Sequence, residues 1–513
     1  MRLYLTPLLA ILCLQATAQK LPSTSTLPNT SAHPNASILS NVFDSYIQSS
    51  LKLWKTPGLS VVIVKDGKVV FKRGYGVARV GSPDPFTTST LSICASTTKA
   101  MTAVCMGILV DEGKVRWTDK ISDIYPELKL ADNYANSELT VKDLFTHNTG
   151  LGNADWLWEL NYPVDSIIQK MRLIPPAYSF RSSFIYQNLM YVVAGEVIRK
   201  ITGITWDEFI KQRIFTPLGM NHSYPNYSAS AAEPSHISPH FLYGDSIVKP
   251  IRHIEKKGID AAGGVWSCAD DINKWLLCLL DSTKTGNTRL LKPETYAALF
   301  TPQSMVTPEE FYPTAKLTKP HWTTYGLGWF QEDYRGNMLN FHTGSLDGAV
   351  AICGLLRDEH FGIYIFANLD HTELRHALMY KAIDLWVDHD NSIDWSTEMY
   401  AMYKDIRDKG KKKEKELEAK RAPNTHPALE LKAYTGTYDN ELYGKAWVKE
   451  AGDSLILTFP DNLNVSLSHW HYNTFRGKYE NDWMGTDWVN FSLGTDGAVT
   501  AFSIGDMVYK KSE

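Results

Sequence analysis

The run from Lys404 to Arg421, with Lys-Lys-Lys-Glu-Lys-Glu at residues 411–416 and Pro423 and Pro427 close behind, divides this chain into two stretches of different texture. So dense a charge run cannot enter a core and reads as a solvated linker helix. At 513 residues the chain also exceeds what one ordinary core holds, so two folded units are expected on either side of that boundary.

After the boundary, Ala433 to Tyr438, Lys445 to Lys449, Ser454 to Phe459, Val465 to His471, Trp488 to Leu493, Val499 to Ile504 and Val508 to Lys510 are short alternating segments between Gly, Asn and Asp turns. This pattern predicts an all-β unit, a small closed barrel, because closure removes exposed edges. Before it, Ile38 to Trp54 has the periodicity of an amphipathic helix, and Leu59 to Val64 and Val69 to Val77 flank an Asp66-Gly67 hairpin turn. An apolar helix runs from Thr97 to Glu112, with further helices near Val141 to Phe145, Tyr191 to Ile201 and Asp270 to Leu280. Strand character returns at Gly326 to Phe330, Met338 to Phe341, Ala349 to Leu355 and Gly362 to Phe366, and a helix spans His371 to Val387. Strands at both ends with helices between predict an α+β fold, one antiparallel sheet flanked by helices. The expected division is 38–395 for this domain, 396–427 for the linker and 428–513 for the barrel.

At the N-terminus, Arg2, the apolar run Leu3 to Leu14 and Ala16-Thr17-Ala18 form a secretory signal over residues 1–18, followed by a Ser/Thr/Pro-rich leader over 19–37. The expected location is therefore periplasmic or extracellular, with no stable membrane insertion after signal removal. Leu12 is bulky where lipidation at Cys13 wants a small residue. The other five cysteines form no disulfide framework and read as buried free thiols. A net charge of −4 argues against a nucleic-acid partner, and no spacing suggests a metal or a cofactor. The expected partner is a small molecule or a peptide substrate.

Three sets of residues carry chemistry. A Ser-x-x-Lys pair brings an amine to a hydroxyl only on a helix, where positions i and i+3 share a face. Of three copies, Ser49…Lys52 ends a surface helix and Ser246…Lys249 lies in an extended stretch, whereas Ser96…Lys99 opens the apolar helix. Tyr-x-Asn occurs five times. Tyr186-Gln187-Asn188, between an extended stretch and a second apolar helix, has a better setting than Tyr134. A strand edge ending in a small residue is supplied by His342-Thr343-Gly344 after Leu339-Asn340-Phe341, while Lys284-Thr285-Gly286 sits in a polar turn.

In this order the three triplets resemble those of class C β-lactamases and DD-peptidases, the penicillin-recognising serine hydrolases. The resemblance continues through residues 144–151 (Leu-Phe-Thr-His-Asn-Thr-Gly-Leu) and 262–267 (Ala-Gly-Gly-Val-Trp-Ser) and spans roughly Leu39 to Val387. The final unit resembles the lipocalin-like barrel that many of these hydrolases carry. The resemblance implies that Ser96 is the nucleophile, with Lys99 or a Tyr186 phenolate as its base. It also implies an oxyanion hole from the N–H groups of Ser96 and Ser345, an amide-binding Asn188, and a His342 that places Tyr186 or a substrate carboxylate beside Thr343 and Gly344. His147 reads as a loop brace, Trp156 and Trp158 as acyl-pocket walls or half-buried surface residues.

His342 stands where β-lactamases of this group have lysine, a departure shared with DD-peptidases, D-amino-acid peptidases and some esterases. The first expectation is an exported DD-peptidase, D-amino-acid peptidase or amidase. The alternatives are a carboxylesterase or weak β-lactamase of the same fold and, from another class, a non-catalytic penicillin- or peptide-binding protein. The texture change at Pro423 further suggests that the barrel can be removed without loss of acylation.

Overall fold

The computed structural model describes residues 36–286 and 288–512; the signal and most of the leader lie outside the described residues. Helix α1 (Ala36–Trp54) leads into β1 (Gly58–Lys65) and β2 (Lys68–Gly76), joined through Asp66 and Gly67, both with positive φ. Helices then follow, chief among them α2 (Thr98–Asp111), α3 (Asn188–Thr202) and α4 (Ala269–Leu280). The chain returns to strands at β3 (Ser304–Met305), β4 (Thr323–Tyr325), β5 (Phe330–Tyr334), β6 (Asn337–Leu346), β7 (Ala349–Leu356) and β8 (Phe361–Ala367). These eight strands make one antiparallel sheet in the order β2-β1-β8-β7-β6-β5-β4-β3, so the first strands of the sequence pair with the last, Leu59 opposite Ala367. The α+β reading holds.

Strands β7 and β8 are buried along their whole length. Their period-two alternation sends Val350, Ile352, Ile363 and Ile365 to one core, with α1 and α5 (Leu374–Ile383), and Ala351, Cys353, Tyr364 and Phe366 to the other, with α2 and α4. Covering both faces is why these segments read as continuous apolar runs. Helix α2 lies buried from Thr98 to Leu109, the state of a helix that is apolar all round. All five described cysteines are buried and free.

Two boundaries differ from expectation. Gly326 to Phe330 is mostly the turn between β4 and β5, where Gly328 takes φ +86° and a Cβ would sit 3.0 Å from the Lys99 carbonyl oxygen. The apolar residues around this glycine-permitted turn against α2 imitate a strand. The C-terminal unit, β9 (Gly436–Asn440) to β16 (Met507–Lys511), is a closed eight-stranded barrel, with β9 pairing β16. Its strand β13 (Thr474–Tyr479) has no counterpart in the sequence reading, because Arg476-Gly477-Lys478 interrupts the apolar alternation. Gly477 is needed there: a Cβ would meet Val465 Cγ1 at 2.8 Å. The barrel interior is packed with side chains, including Tyr438, Phe475, Phe491, Phe502 and Tyr509.

The charged segment is a helix, α6 (Trp395–Ala419), that engages both units. Trp395 Nε1 donates to Asp384 (2.7 Å) and Ser396 Oγ accepts from Trp54 (3.0 Å), while Arg476 of the barrel pairs with Glu414 and Glu418 at its other end (2.9 and 3.0 Å). The two units also meet directly. Trp156 packs edge-on against Phe459 and Tyr479 of the barrel, Leu160 is buried in the barrel's core cluster, and Tyr162 donates to the Tyr443 carbonyl (2.9 Å). Trp156 thus packs on the barrel, and Trp158 is half-buried beside Lys256, whose ammonium is 5.9 Å from its ring. No described helix is long and apolar enough to cross a membrane.

Candidate active site

Backbone pairing fixes the start of α2. Ser92 and Ile93 pair with Ser267 and Trp266, and Cys94 N–H donates to the Val265 carbonyl (2.8 Å). Ala95 then takes φ +46°, a left-handed conformation costly for a residue with a Cβ, and turns Ser96 into the first helical turn. The Gly-rich stretch 262–267 serves this geometry, with Gly263 lying against the Ala95 backbone. On the other side β6 presses in, and a Cβ on Gly344 would overlap the Cys94 carbonyl oxygen. That contact explains a small residue at the end of the third triplet.

Lys99 is fully buried, and its Nζ has three oxygen neighbours: Ser96 Oγ at 3.0 Å, Asn188 Oδ1 at 2.7 Å and the Ala262 carbonyl at 2.8 Å. A neutral amine has two hydrogens and one lone pair. As an ammonium, Lys99 donates to all three; in its neutral form the two pure acceptors take the hydrogens and the lone pair is left for the one neighbour that can donate, the Ser96 hydroxyl. Burial brings the Lys99 pKa down to about 7, with the nearby Asp155 carboxylate pulling the other way. An amine so placed is neutral in a large fraction near pH 7 and can accept a proton.

The Tyr186 ring lies 4.9 Å from Lys99 Nζ and that of Tyr191 5.2 Å. Burial holds the Tyr186 phenol well above its usual pKa, with Ser96 close enough to oppose that rise. Among the described residues its hydroxyl has no formed hydrogen bond. His147 braces the loop that carries it: Nδ1 accepts the Gln187 N–H (2.9 Å) and the ring packs 4.4 Å from Tyr186. Burial, with Lys99 and His342 nearby, keeps His147 far below the usual histidine pKa.

The third triplet lies within β6, beyond its pairing with β5. Phe341 is the last residue opposite β5, so residues 342–346 pair only with β7 and leave the other side open. The His342 ring lies 6.1 Å from that of Tyr186, and both its nitrogens are engaged by other partners. Its Nδ1 donates to the Thr343 carbonyl (2.6 Å) and its Nε2 accepts from Tyr325 (2.9 Å). Burial, reinforced by Lys99, drops its pKa to about 3, so it is a neutral ring with both nitrogens committed. Thr343 Oγ1 is likewise engaged by the Tyr312 hydroxyl (2.5 Å). Arg375, itself buried, bonds the Gly344 carbonyl (2.5 Å) and Ser345 Oγ (2.8 Å), and Glu373 balances it at 2.9 Å.

The structure therefore brings Ser96, Lys99, Tyr186 and Asn188 together, with Gly344 against the same turn. Tyr134, the rival of Tyr186, is 66% exposed. Asp155, Tyr312, Tyr325 and Arg375 stand in no short motif and meet the site only through tertiary contacts, so the sequence does not reveal them. The Ala262 carbonyl, by contrast, heads the 262–267 stretch that the sequence does mark.

A family model described as Beta-lactamase matches residues 43–386, and one described as Domain of unknown function (DUF3471) matches residues 420–513. The chain belongs to the Beta-lactamase family, a family of serine hydrolases. It is similar to Unguisins hydrolase ungD' of Aspergillus campestris (strain IBT 28561), 26% identical over 426 residues, which are 79% of this chain and 77% of that protein. The octameric penicillin-binding protein homologue from Pyrococcus abyssi superposes with TM-score 0.59 at 21% identity, over 92% of this chain and 99% of that one. SurE, in a crystal structure with D-Leu, gives TM-score 0.53 at 16% identity, over 93% and 100%. These two likenesses are of fold.

Proposed function

We propose that this chain is an exported hydrolase that forms an acyl-enzyme on Ser96 and cleaves peptides or amides of D-amino acids. The observation that carries the acyl-enzyme is the buried Lys99 amine 3.0 Å from the Ser96 hydroxyl, its pKa brought down to about 7 by burial. Lys99 takes the Ser96 proton as Oγ adds to the substrate carbonyl. Backbone N–H groups of Ser96 and Ser345 receive the oxyanion, each such donor contributing about 3–4 kcal/mol. Tyr186, a protonated phenol beside Ser96, relays the proton to the leaving nitrogen as the C–N bond breaks. Water then adds to the ester and gives its proton back through the same groups, releasing acid and free Ser96. Asn188 holds Lys99 and offers its amide to the substrate. Between the two bases considered, the raised phenol pKa favours Lys99 over a Tyr186 phenolate.

The substrate class rests on the neutral His342, which presents no cation at the place where β-lactamases of the resembling group have lysine, and is in keeping with a sequence relative named as a hydrolase of unguisins and a structure of similar fold solved with D-Leu. A panel of D-Ala-D-Ala peptides, D-aminoacyl amides, short-chain esters and a chromogenic cephalosporin tests it. The expected order is D-peptide or D-amide first, with slow cephalosporin turnover. Esters as the preferred substrates would make the chain a carboxylesterase, and cephalosporin turnover at the rate of a dedicated β-lactamase would contradict the reading of His342.

A further inference from the structure

Behind Lys99 lies a second layer that reaches the barrel. Asn188 Oδ1 accepts from Lys99 at 2.7 Å, and its Nδ2 donates to Asp155 Oδ2 at 3.0 Å. An amide between an amine and a carboxylate has one way to face: oxygen to the donor, NH2 to the acceptor. Asp155 therefore fixes the orientation of Asn188, and so which Lys99 hydrogen is occupied. The next residue, Trp156, sits with its ring 5.7 Å from Phe459 and 6.5 Å from Tyr479, both from the barrel. Leu160, a turn further on, is buried in the barrel core. The segment that carries Asp155 is thus clamped from the C-terminal unit.

We propose that Asp155 is a positioning residue that orients Asn188 against Lys99, and that the barrel holds it in register through Trp156. This inference rests on Lys99 acting on Ser96 as described above. The groups facing Lys99 are Ser96 from its own helical turn, Asn188 and Tyr191 from α3, Tyr186 and His147 from the loops before it, His342 from β6, and Asp155. The histidines are neutral and Tyr186 is protonated, so the negative charge in this shell is that of Asp155, which favours the ammonium form of Lys99. Asp155→Asn keeps an acceptor oxygen for Asn188 but removes the charge. Asp155→Ala removes both.

The test measures the rate of Ser96 labelling by a fluorophosphonate against pH in the full chain, with the adduct mapped by mass spectrometry. Asp155→Asn should move the acid limb to lower pH by about 0.5–1 unit, because losing an opposite charge lowers an amine's pKa. Asp155→Ala should show the same shift and a rate at least about 10-fold lower, since Asn188 is then free to turn. A merely structural role would lower the rate without moving the limb, and an unmoved limb in folded Asp155→Asn overturns the charge assignment. The barrel's part is read from Phe459→Leu combined with Tyr479→Leu. With folding checked by circular dichroism, this pair should slow labelling several-fold in the parent and have little effect in the Asp155→Ala background. Equal effects in both backgrounds, or none in either, overturn the clamp. An adduct that maps away from Ser96 in the unmodified chain sinks the nucleophile assignment instead, a result distinct from all of these.

Discussion

Replacing Lys99 by methionine should slow acylation of Ser96 by about 10²–10⁴-fold, the usual contribution of a positioned general base. Methionine fills the buried space of the lysine stem without a charge, so the protein should remain folded and the loss should fall on the rate. Lys99→Arg should be as damaging, because a guanidinium keeps its proton and cannot act as a base. In the unmodified chain the pH profile has a definite sign. The active form is the neutral amine, and with a pKa of about 7 the acylation rate should rise through that pH and fall about tenfold per unit well below it. Tyr186, held well above the usual tyrosine range, stays protonated on both sides of this limb and adds no step of its own. Stopped-flow or quenched labelling across pH 5–9 checks both statements. A lysine acting only as an ammonium would reverse the slope.

The second large effect concerns the barrel. Texture alone suggests that everything after Pro423 is dispensable for acylation, but the contacts argue otherwise. Cutting there uncovers Trp156, Leu160 and Tyr162, removes the Tyr443 carbonyl that Tyr162 donates to, and severs the bond between Asn161 and Asp461 (2.9 Å). At about 1.5–3 kcal/mol for each large apolar side chain fully exposed, and less for the two that are only half-buried, the loss comes to about 4–6 kcal/mol. That is a large part of the 5–15 kcal/mol typical of a folded domain. The truncated chain should therefore lose about 5–10 °C in Tm and be prone to aggregate through Trp156. Its labelling rate should fall by about 10-fold or more, since Trp156 adjoins Asp155. Calorimetry and labelling on a chain ending at residue 423 measure both quantities. An unchanged Tm would show that the interface contributes no net stability.

The parts of this molecule that were legible in the sequence are those whose cause is local. Ser96 and Lys99 share a helix face because three residues separate them, and the apolar run behind them marks that helix as buried. The sheet strands announce themselves by runs that only a doubly covered sheet can bury. The barrel declares its alternation in seven strands and hides the eighth, where Gly477 yields its space to Val465. The turn at Gly326–Gly328 is obscure for the opposite reason: its apolar neighbours imitate a strand, while Gly328 lets the backbone approach α2 and Gly326 makes room for the Leu299 carbonyl. The fate of His342 depended on tertiary partners. Nothing near it in sequence says that Tyr325 and the Thr343 carbonyl use both ring nitrogens, or that burial strips its charge. Asp155 is the sharpest case, an ordinary loop carboxylate until α3 brings Asn188 beside it.

The central claim is that the Ser96 hydroxyl, activated by Lys99, becomes the acylated group. Mass-spectrometric mapping of the fluorophosphonate adduct on the full chain, with Ser96→Ala in parallel, tests it most directly. The result predicted is a single adduct on the peptide containing Ser96 and none on the Ser96→Ala protein. An adduct on any other residue, or undiminished labelling of Ser96→Ala, would contradict it.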